Sequence, residues 1–573
     1  MLVLGINYSN DSAACIVKDG EVLGASQEER FSRVKHDRSF PTRAIRFCLD
    51  RAGVTLEDCD AVAFFWNPGI HAQVFNAKQS AMPRHHLEFL YNVPNHLLRA
   101  FPGDPVEELE QIFRMKSGKK LHIHYVNHHL CHAASTLFRA PFEEAALLTV
   151  DGYGERASTH IAVGKGLDIQ TLATIEFPHS VGSFYAAFTE YLGFAPNSGE
   201  GKVMGLGAYG SPKYAGIVRE MVELTPEGFR IDLRYFSYYV EREKRYSDLL
   251  VQRLGPARKP ETPLEQRHFD IAASFQLVTE EILLHLASMA KRLTGMKNLG
   301  MAGGVTLNCV ANGRIARESG FERCFFQPAA GDNGTSLGAA LWVTHGIHGI
   351  PRRNDLETVD TLGVEFTDAE IEAELQRAAL PYVRLADPAA VAAELLTEGK
   401  IVGWFQGRAE FGPRALGNRS ILADPRKAEM KDILNARVKF REYFRPFAPS
   451  VLADRMGELF EPVCDSPFML QAVMTRPDKR DVVPAITHED GTARVQTVTR
   501  TSNPAYYRLI EQFGERTGVP CVLDTSFNIR GEPIVNTVAD ALKCFFTTDM
   551  DALFLGSFAL ARSEEGWARL KSF

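Results

Sequence analysis

The sequence predicts an α/β protein of two domains, the first of them internally duplicated. Three observations carry that expectation. The chain has 573 residues, too many for one hydrophobic core. A strand–polar loop–strand–hairpin pattern occurs twice early in the chain. A fresh apolar strand follows a change of texture beyond residue 350.

The first pattern opens with an apolar strand, Leu2–Asn7, and a polar turn through Ser9, Asn10, Asp11 and Ser12. A second strand, Ala13–Val17, reaches the hairpin turn Lys18-Asp19-Gly20 before Glu21–Ala25. The later copy runs from Ala145–Val150 through the loop Asp151-Gly152-Tyr153-Gly154-Glu155 to Ser158–Val163, and turns at Gly164-Lys165-Gly166. This pairing matches the architecture of sugar kinases, actin and their ATPase relatives, where paired hairpin loops face a nucleotide. Helical spacing of apolar residues marks Phe184–Leu192 and Ile271–Thr294. Asn298–Ala302 reads as a short buried strand entering Gly303-Gly304 and Asn308, a junction that can present backbone N–H groups to a phosphate or simply allow tight packing. The first domain is expected over 1–350 and a linking segment over 351–385, including the acidic amphipathic helix Asp368–Ala379. A second α/β domain is expected over 386–573, starting with the strand Ile401–Phe405.

Composition sets outer bounds on function. Hydrophobic residues make up 45% and charged residues 24%, as in soluble globular chains. A formal net charge of −7 argues against a general nucleic-acid binder, which needs a basic surface to neutralise phosphates. The N-terminal residues do not read as a signal peptide, and no apolar run approaches the roughly 18 residues of a membrane span. Nine scattered cysteines without a Cys-x-x-Cys pair suit a reducing compartment, so the expectation is a cytoplasmic enzyme that engages neither membrane nor nucleic acid.

Two clusters carry chemistry. In Asn127-His128-His129-Leu130-Cys131-His132, His128 and His132 lie four apart, on one face of a helix, and can share a metal. Asp151 follows the next strand as a natural third ligand, and Asp332 in Gly331-Asp332-Asn333-Gly334 supplies a fourth. Two imidazoles with carboxylates and open positions suit Fe(II) or another divalent ion; the plainer alternative is one histidine capping the helix and one packed in the core. His129 points off that face and is expected to be structural. The second cluster spans Arg408 to Arg445, with ten basic residues against five acidic ones inside an acidic chain. Arg414 and Arg445 sit in turns constrained by glycine and proline, where a guanidinium fork is held still for phosphate oxygens. A solvated charged face is the alternative. Arg494 and the turn Asp524-Thr525-Ser526-Phe527-Asn528 are candidate additions, whereas Lys35-His36 by itself reads as an exposed helix end. The sequence has no Walker Gly-x-x-x-x-Gly-Lys-Ser/Thr loop, so a P-loop reading loses weight.

Taken together, these motifs resemble the O-carbamoyltransferase family that includes NodU, CmcH and TobZ, over nearly the whole chain. The resemblance rests on Leu4-Gly5-Ile6-Asn7, Glu28-Glu29-Arg30-Phe31, Lys35-His36, His128 to His132 and Asp151-Gly152. It continues through Gly201-Lys202-Val203-Met204-Gly205-Leu206, Ala302-Gly303-Gly304 to Asn308, and Gly331 to Gly334. In the second domain it covers Phe411 to Gly417 and Arg445-Pro446-Phe447-Ala448-Pro449. It implies an ASKHA (actin-like ATPase), TsaD-like N-terminal domain and a YrdC-like C-terminal domain. It further implies ATP with magnesium, carbamoyl phosphate and a hydroxylated small-molecule acceptor as substrates, with relatives acting in antibiotic or secondary-metabolite biosynthesis. Carbamoyl phosphate would be cleaved and its carbamate joined to ATP as carbamoyl adenylate in the second domain; the first domain would transfer the carbamoyl group to a hydroxyl.

The resemblance also implies roles. Arg414, Arg445 and Arg494, with Ser526, would hold the phosphates, with Lys439 assisting and Lys35 reaching the nucleotide from the first domain. His128, His132, Asp151 and Asp332 would bind Fe(II), and Gly182, Lys202, Gly304 and Asn308 would line the adenylate. Two departures stand out. Asn10-Asp11 replaces a His-Asp pair, leaving Asp11 or the metal to deprotonate the acceptor, and Asp524 replaces an asparagine beside the expected phosphates. Two rivals are a threonylcarbamoyl-type tRNA-modifying enzyme, disfavoured by the net charge, and a non-catalytic ATP-dependent regulator, which needs neither cluster. Residues from about Trp66 to Lys120, with Phe64, Phe65, His71, His85, His86 and Tyr91, are expected to help form the acceptor pocket. A homodimer is the candidate assembly.

Overall fold

A computed structural model describes every residue except 68–107, 241–243, 354–358 and 463. The chain divides into two compact units. The first comprises Met1–Glu28, Arg38–Asn308 and Arg314–Leu356; the second comprises Glu29–Asp37, Cys309–Gly313 and Glu357–Phe573.

In the first unit, β1 (Leu2–Asn7), β2 (Ala13–Lys18) and β3 (Glu21–Gln27) form an antiparallel meander. Asp19 and Gly20, both at positive φ, close its second hairpin, between β2 and β3, with the twist that flanking strands prefer. With β4 (Ala61–Phe64), β5 (Glu108–Arg114) and β6 (Lys120–Val126) they give a six-stranded sheet of order β3-β2-β1-β4-β6-β5. β4 runs parallel to β1, and β6 parallel to β4. The second sheet repeats this plan. β7 (Glu144–Val150), β8 (Ala157–Lys165) and β9 (Asp168–Glu176) form the meander. After a small hairpin, β10 (Val222–Thr225) with β11 (Gly228–Ile231), come β12 (Asn298–Ala302) and β13 (Arg323–Phe326), both parallel to β7. The order β13-β12-β7-β8-β9 matches the first sheet strand for strand apart from the added β5. The duplicated actin-like α/β arrangement expected from the sequence is therefore present.

Two glycines set the spacing around which this unit is built. A Cβ on Gly338 would lie 1.7 Å from the Cys131 carbonyl oxygen, so the helices His128–Leu137 and Asn333–Leu341 meet backbone to backbone. Gly303 sits at φ 95°, and a Cβ there would lie 2.2 Å from the Val150 carbonyl oxygen. The ends of β7 and β12 are thereby drawn together beside the loop that starts at Asp151.

The second unit is built on an eight-stranded mixed sheet, joining β14 (Val383–Arg384), β15 (Val402–Phe405), β16 (Arg419–Ala423) and β17 (Ala448–Leu452) to β20 (Gln496–Val498), β21 (Cys521–Ser526), β22 (Ala552–Leu555) and β23 (Phe558–Ala561). β18 (Ala472–Met474) and β19 (Thr492–Arg494) form a separate antiparallel pair. Two large apolar clusters fill this unit, and one of them includes the paired helices Pro388–Thr397 and Pro504–Thr517. Each of these helices begins with proline after a side-chain cap, Asp387 or Asn503. The N-terminal segment Glu29–Asp37 belongs to this unit through Arg30, which donates to the Gly412 carbonyl at 2.7 Å. Arg33 donates to the Ile534 and Pro533 carbonyls at 2.8 and 2.9 Å and pairs with Asp540. Among the described residues, no helix is long and apolar enough to cross a membrane.

Asp524 lies in β21 with no exposed surface, and its Oδ2 accepts hydrogen bonds from Tyr506 at 2.8 Å, Ser420 at 3.1 Å and Ser450 at 3.2 Å. Burial pushes its pKa up to about 7, against which those hydroxyls work. Between the unfolded value near 4 and about 7, the folded state holds a proton that the unfolded state has released. Stability therefore falls as pH rises through that window, by at most about 1.4 kcal/mol per pH unit for one proton. Asp524→Asn is expected to remove this slope. Urea unfolding at pH 5 and pH 8 should show the variant gaining on wild type at the higher pH; an unchanged difference would refute the assignment.

Candidate functional site

Two constellations of polar side chains stand out, one in each unit. In the first unit, β6 ends at Val126 and Asn127 caps the next helix, its Oδ1 accepting from the Leu130 N–H at 2.9 Å. The cap starts the helix at His128, so His128 and His132 project together one turn apart. Their Nε2 atoms are 3.1 Å apart, and each lies 3.0 Å from Asp151 Oδ2. Asp332 Oδ1 is 3.8 Å from His128 Nε2, while Asp332 Oδ2 accepts a hydrogen bond from Ser9 at 2.8 Å. All four sequence-expected ligands are thus gathered, with ligating atoms within 4.8 Å of one another.

The electrostatics of this cluster are those of a site short of positive charge. Burial alone would lower the His128 pKa, but Asp151, Asp332 and Glu155 lift it to about 9. Asp332 is pushed up to about 7 by burial and by the Asp151 carboxylate. Burial opposes ionisation of Asp151, yet the hydrogen bonds with both imidazoles hold it well below the usual carboxylate range. Two nitrogen and two carboxylate donors converging in a buried pocket fit a divalent cation of the first transition row. The Nδ1 atoms of both histidines are buried without a hydrogen-bond partner, so ring orientation is set by packing and by the Nε2 side.

Around Asp151 the backbone comes close. The Gly152 and Gly304 N–H groups donate to Asp151 Oδ1 at 2.7 and 3.3 Å, and a Cβ on Gly182 would lie 2.7 Å from the Gly152 nitrogen. Gly182 and Gly304 therefore border the cluster. Asn308 instead exchanges two amide hydrogen bonds with Gln276, at 3.0 and 3.1 Å, and Lys202 lies over the Phe194 ring. The Asp11 carboxylate bears on Asp332 and raises its pKa. His129 is structural, bonded to Thr149 Oγ1 at 2.8 Å and to the Ala157 carbonyl at 3.1 Å. Phe65 and Trp66 set their rings against His128, with centroids 5.7 and 5.8 Å away. His71, His85, His86 and Tyr91, also expected in the acceptor pocket, lie outside the described residues.

In the second unit the basic run of the sequence splits in two. Arg408, Arg419, Arg426 and Arg437 are taken up by the protein itself. Arg419 has no exposed surface, stacks over Phe405 at 3.6 Å and donates to the carbonyls of Gln406, Asn418, Val364 and Gly407. Arg426 forms a two-pronged pair with Asp424. Arg414, Arg441 and Arg445 form the other group, joined by Arg494 at the end of β19. Burial, followed by repulsion from Arg494 and Arg445, lowers the Arg414 pKa to about 9. Arg441 is depressed by burial and by Arg445 and Arg494. The Nε atoms of Arg414 and Arg494 are buried without a hydrogen-bond partner. Lys439 is buried with its Nζ donating to the Ser526 and Asn528 carbonyls at 2.7 and 3.0 Å, and to Asn528 Oδ1 at 2.8 Å. It pins the Ser526 loop, while Lys35, part of this same unit, adds to the repulsion at Lys439.

Sequence reasoning passed over Arg441 and Glu155. Arg441 was one charge in a run; the adjacent Phe440, at positive φ, and Pro446, whose carbonyl Arg441 reaches at 3.2 Å, were its only local marks. Glu155 ends the Asp151 loop, and its position four residues after a ligand was the available signal.

Comparison with known proteins bears on both units. A family model described as carbamoyltransferase N-terminus matches residues 2–341, and one described as carbamoyltransferase C-terminus matches 393–562. The chain is 42% identical to the uncharacterized protein sll1178 of Synechocystis, over 98% of this chain and 97% of that one. It is 41% identical to the nodulation protein NolNO of Sinorhizobium fredii, over 98% of this chain and 81% of that one. It is 30% identical to the 3'-hydroxymethylcephem-O-carbamoyltransferase of Streptomyces clavuligerus, over 95% and 96%.

Proposed function

Because the chain belongs to the carbamoyltransferase family, we propose that it is an ATP-dependent O-carbamoyltransferase working in two half-reactions. In the first, water cleaves carbamoyl phosphate to carbamate and phosphate. The carbamate oxygen then attacks the α-phosphorus of ATP, giving carbamoyl adenylate and pyrophosphate. In the second, the hydroxyl of a small-molecule acceptor attacks the carbamoyl carbon, its proton leaves and AMP departs. A reducing cytoplasmic setting fits nine cysteines that are all free thiols.

The observation that carries this reading is the crowd of half-buried guanidinium groups in the second unit, beside the buried Lys439. Arg414 and Arg494 keep buried Nε donors without protein partners, although burial depresses the pKa of both and neighbouring guanidinium groups depress Arg414 further. Such an arrangement is stable chiefly when a polyanion completes it, and forks of this kind match phosphate oxygens. Arg414, Arg445 and Arg494 would hold carbamoyl phosphate and the ATP phosphates, neutralising charge as it moves onto the leaving oxygens. Lys439 fixes the loop carrying Ser526, and Lys35 adds charge for the nucleotide.

In the first unit, His128, His132, Asp151 and Asp332 would hold a divalent metal, with Fe(II) among the candidates. When bound, that metal supplies Lewis-acid polarisation of a carbonyl oxygen. The Gly152 and Gly304 N–H groups orient the Asp151 carboxylate, and Ser9 orients Asp332. Asp11 is the nearby carboxylate available to take the acceptor's proton, since Asn10 has no basic atom.

The deciding experiment is pyrophosphate release by the purified protein with ATP and magnesium, in the absence of acceptor. Release that requires carbamoyl phosphate is expected. Folded protein whose release is indifferent to carbamoyl phosphate would sink the adenylate scheme.

A further inference from the structure

Glu155 is a buried carboxylate, 4% exposed, that the two half-reactions leave without a task. Its Oε1 accepts the Asn67 N–H at 2.7 Å and the His128 N–H at 3.0 Å. Its Oε2 accepts the same His128 N–H at 3.2 Å and Asn127 Nδ2 at 3.4 Å. The carboxylate therefore sits on the N-terminal end of the helix His128–Leu137, where unpaired N–H groups and the helix dipole favour negative charge.

The same five-residue loop, Asp151 to Glu155, grips His128 at both ends. Asp151 meets the ring at Nε2, 3.0 Å away, and Glu155 meets the backbone nitrogen. Between them the loop lies flat on the helix: a Cβ on Gly154 would come within 3.0 Å of the His128 Cβ and 3.1 Å of His129 Cδ2. Any slide of the helix start relative to the loop would break one grip or the other. Through Asn67, Glu155 also ties down the segment whose Trp66 ring stands edge-on to His128 and 6.2 Å from Tyr153.

We propose that Glu155 is the positioning residue of the histidine–aspartate cluster: it fixes where the first histidine ligand stands and thereby sets the cluster's affinity for a divalent ion. The proposal rests on reading the cluster as a metal site. Partners that orient ligands from behind typically change metal affinity by about 10- to 100-fold when removed. Glu155→Ala loses every one of these hydrogen bonds. Glu155→Gln keeps an oxygen where Oε1 accepts the Asn67 and His128 N–H groups. Glu155→Asp keeps the charge but is one methylene too short to span both.

The test is titration of metal-stripped full-length protein with Co(II), followed by its visible absorption, alongside thermal unfolding of the stripped protein. Glu155→Ala and Glu155→Asp are expected to weaken Co(II) binding by about 10- to 100-fold and alter the absorption bands, while Glu155→Gln stays within a few-fold of wild type. Pyrophosphate release without acceptor should be unchanged in all three. A purely structural role would lower the unfolding temperature and leave the affinity of the folded protein alone. If Glu155→Ala is too unstable to handle, Glu155→Asp decides by itself. Co(II) binding indifferent to residue 155 overturns this proposal; wild-type protein that binds no Co(II) overturns the metal reading and this proposal with it.

Discussion

Arg414→Ala is expected to reduce carbamoyl-phosphate-dependent pyrophosphate release by about 100-fold or more, the usual loss when a fixed donor to developing charge is removed. The same substitution should leave the protein at least as stable as wild type. Arg414 is held charged in a half-buried place, where burial and then two other guanidinium groups lower its pKa to about 9, so its removal relieves both costs. Loss of activity with retained or raised thermal stability is the signature of a residue kept for chemistry at the expense of the fold. Arg419 makes the comparison sharp. It is fully buried and also arginine, but its Nη donors meet four carbonyl oxygens, and Arg419→Ala leaves those acceptors unsatisfied. Initial rates and unfolding temperatures of the two variants separate the roles. Near-wild-type pyrophosphate release from Arg414→Ala would remove the central support for the phosphate site.

His132→Ala should abolish carbamoyl transfer to an acceptor, again by about 100-fold or more, while acceptor-free pyrophosphate release continues. The reason is position. His132 Nε2 is 3.0 Å from Asp151 and 3.1 Å from His128, so the remaining ligands lose the partner that closes the donor set. Metal content measured on the purified protein is expected to fall from about one ion per chain to near zero. Extraction with a chelator should reproduce the variant, and re-addition of Fe(II) should restore the wild type alone. Full transfer by the variant or by stripped protein would assign the cluster a structural role.

Much of the fold was legible because local signals agreed with the global plan. Leu2–Asn7 and Asn298–Ala302 are strands with the bounds expected, since both are apolar runs ended by polar or glycine turns. The long helix expected over Ile271–Thr294 starts earlier, at Gln266, because Glu265 and His268 form a reciprocal cap that an apolar-spacing argument does not see. The helix read as Phe184–Leu192 likewise begins at Val181, where the Ser180 hydroxyl accepts from the Ser183 N–H.

The candidate sites were legible to different depths. His128 and His132 declare themselves by four-residue spacing, and Asp151 by following a strand into glycine. Which arginines face inward was not legible. Arg419 and Arg414 are five residues apart in one charge run, and only the alternation of β16 carries Arg419 onto Phe405. The company kept by Lys35 was hidden for another reason. Contacts between residues hundreds of positions apart leave no local trace, so nothing near Lys35 announced Gly412 or Ile534.

The assignment of Glu29–Asp37 and Cys309–Gly313 to the second unit bears on how such a gene can evolve. Split at the midpoint suggested by its two sequence halves, the gene would encode a second polypeptide lacking Arg30, Arg33 and Asn312. The carbonyl groups of Gly412, Pro533, Ile534 and Leu470 would then be left without the side chains that satisfy them. Fission into two freely diffusing subunits is therefore penalised at the level of folding. The two units are inherited together because two short stretches of chain, read early, complete a unit that is read late.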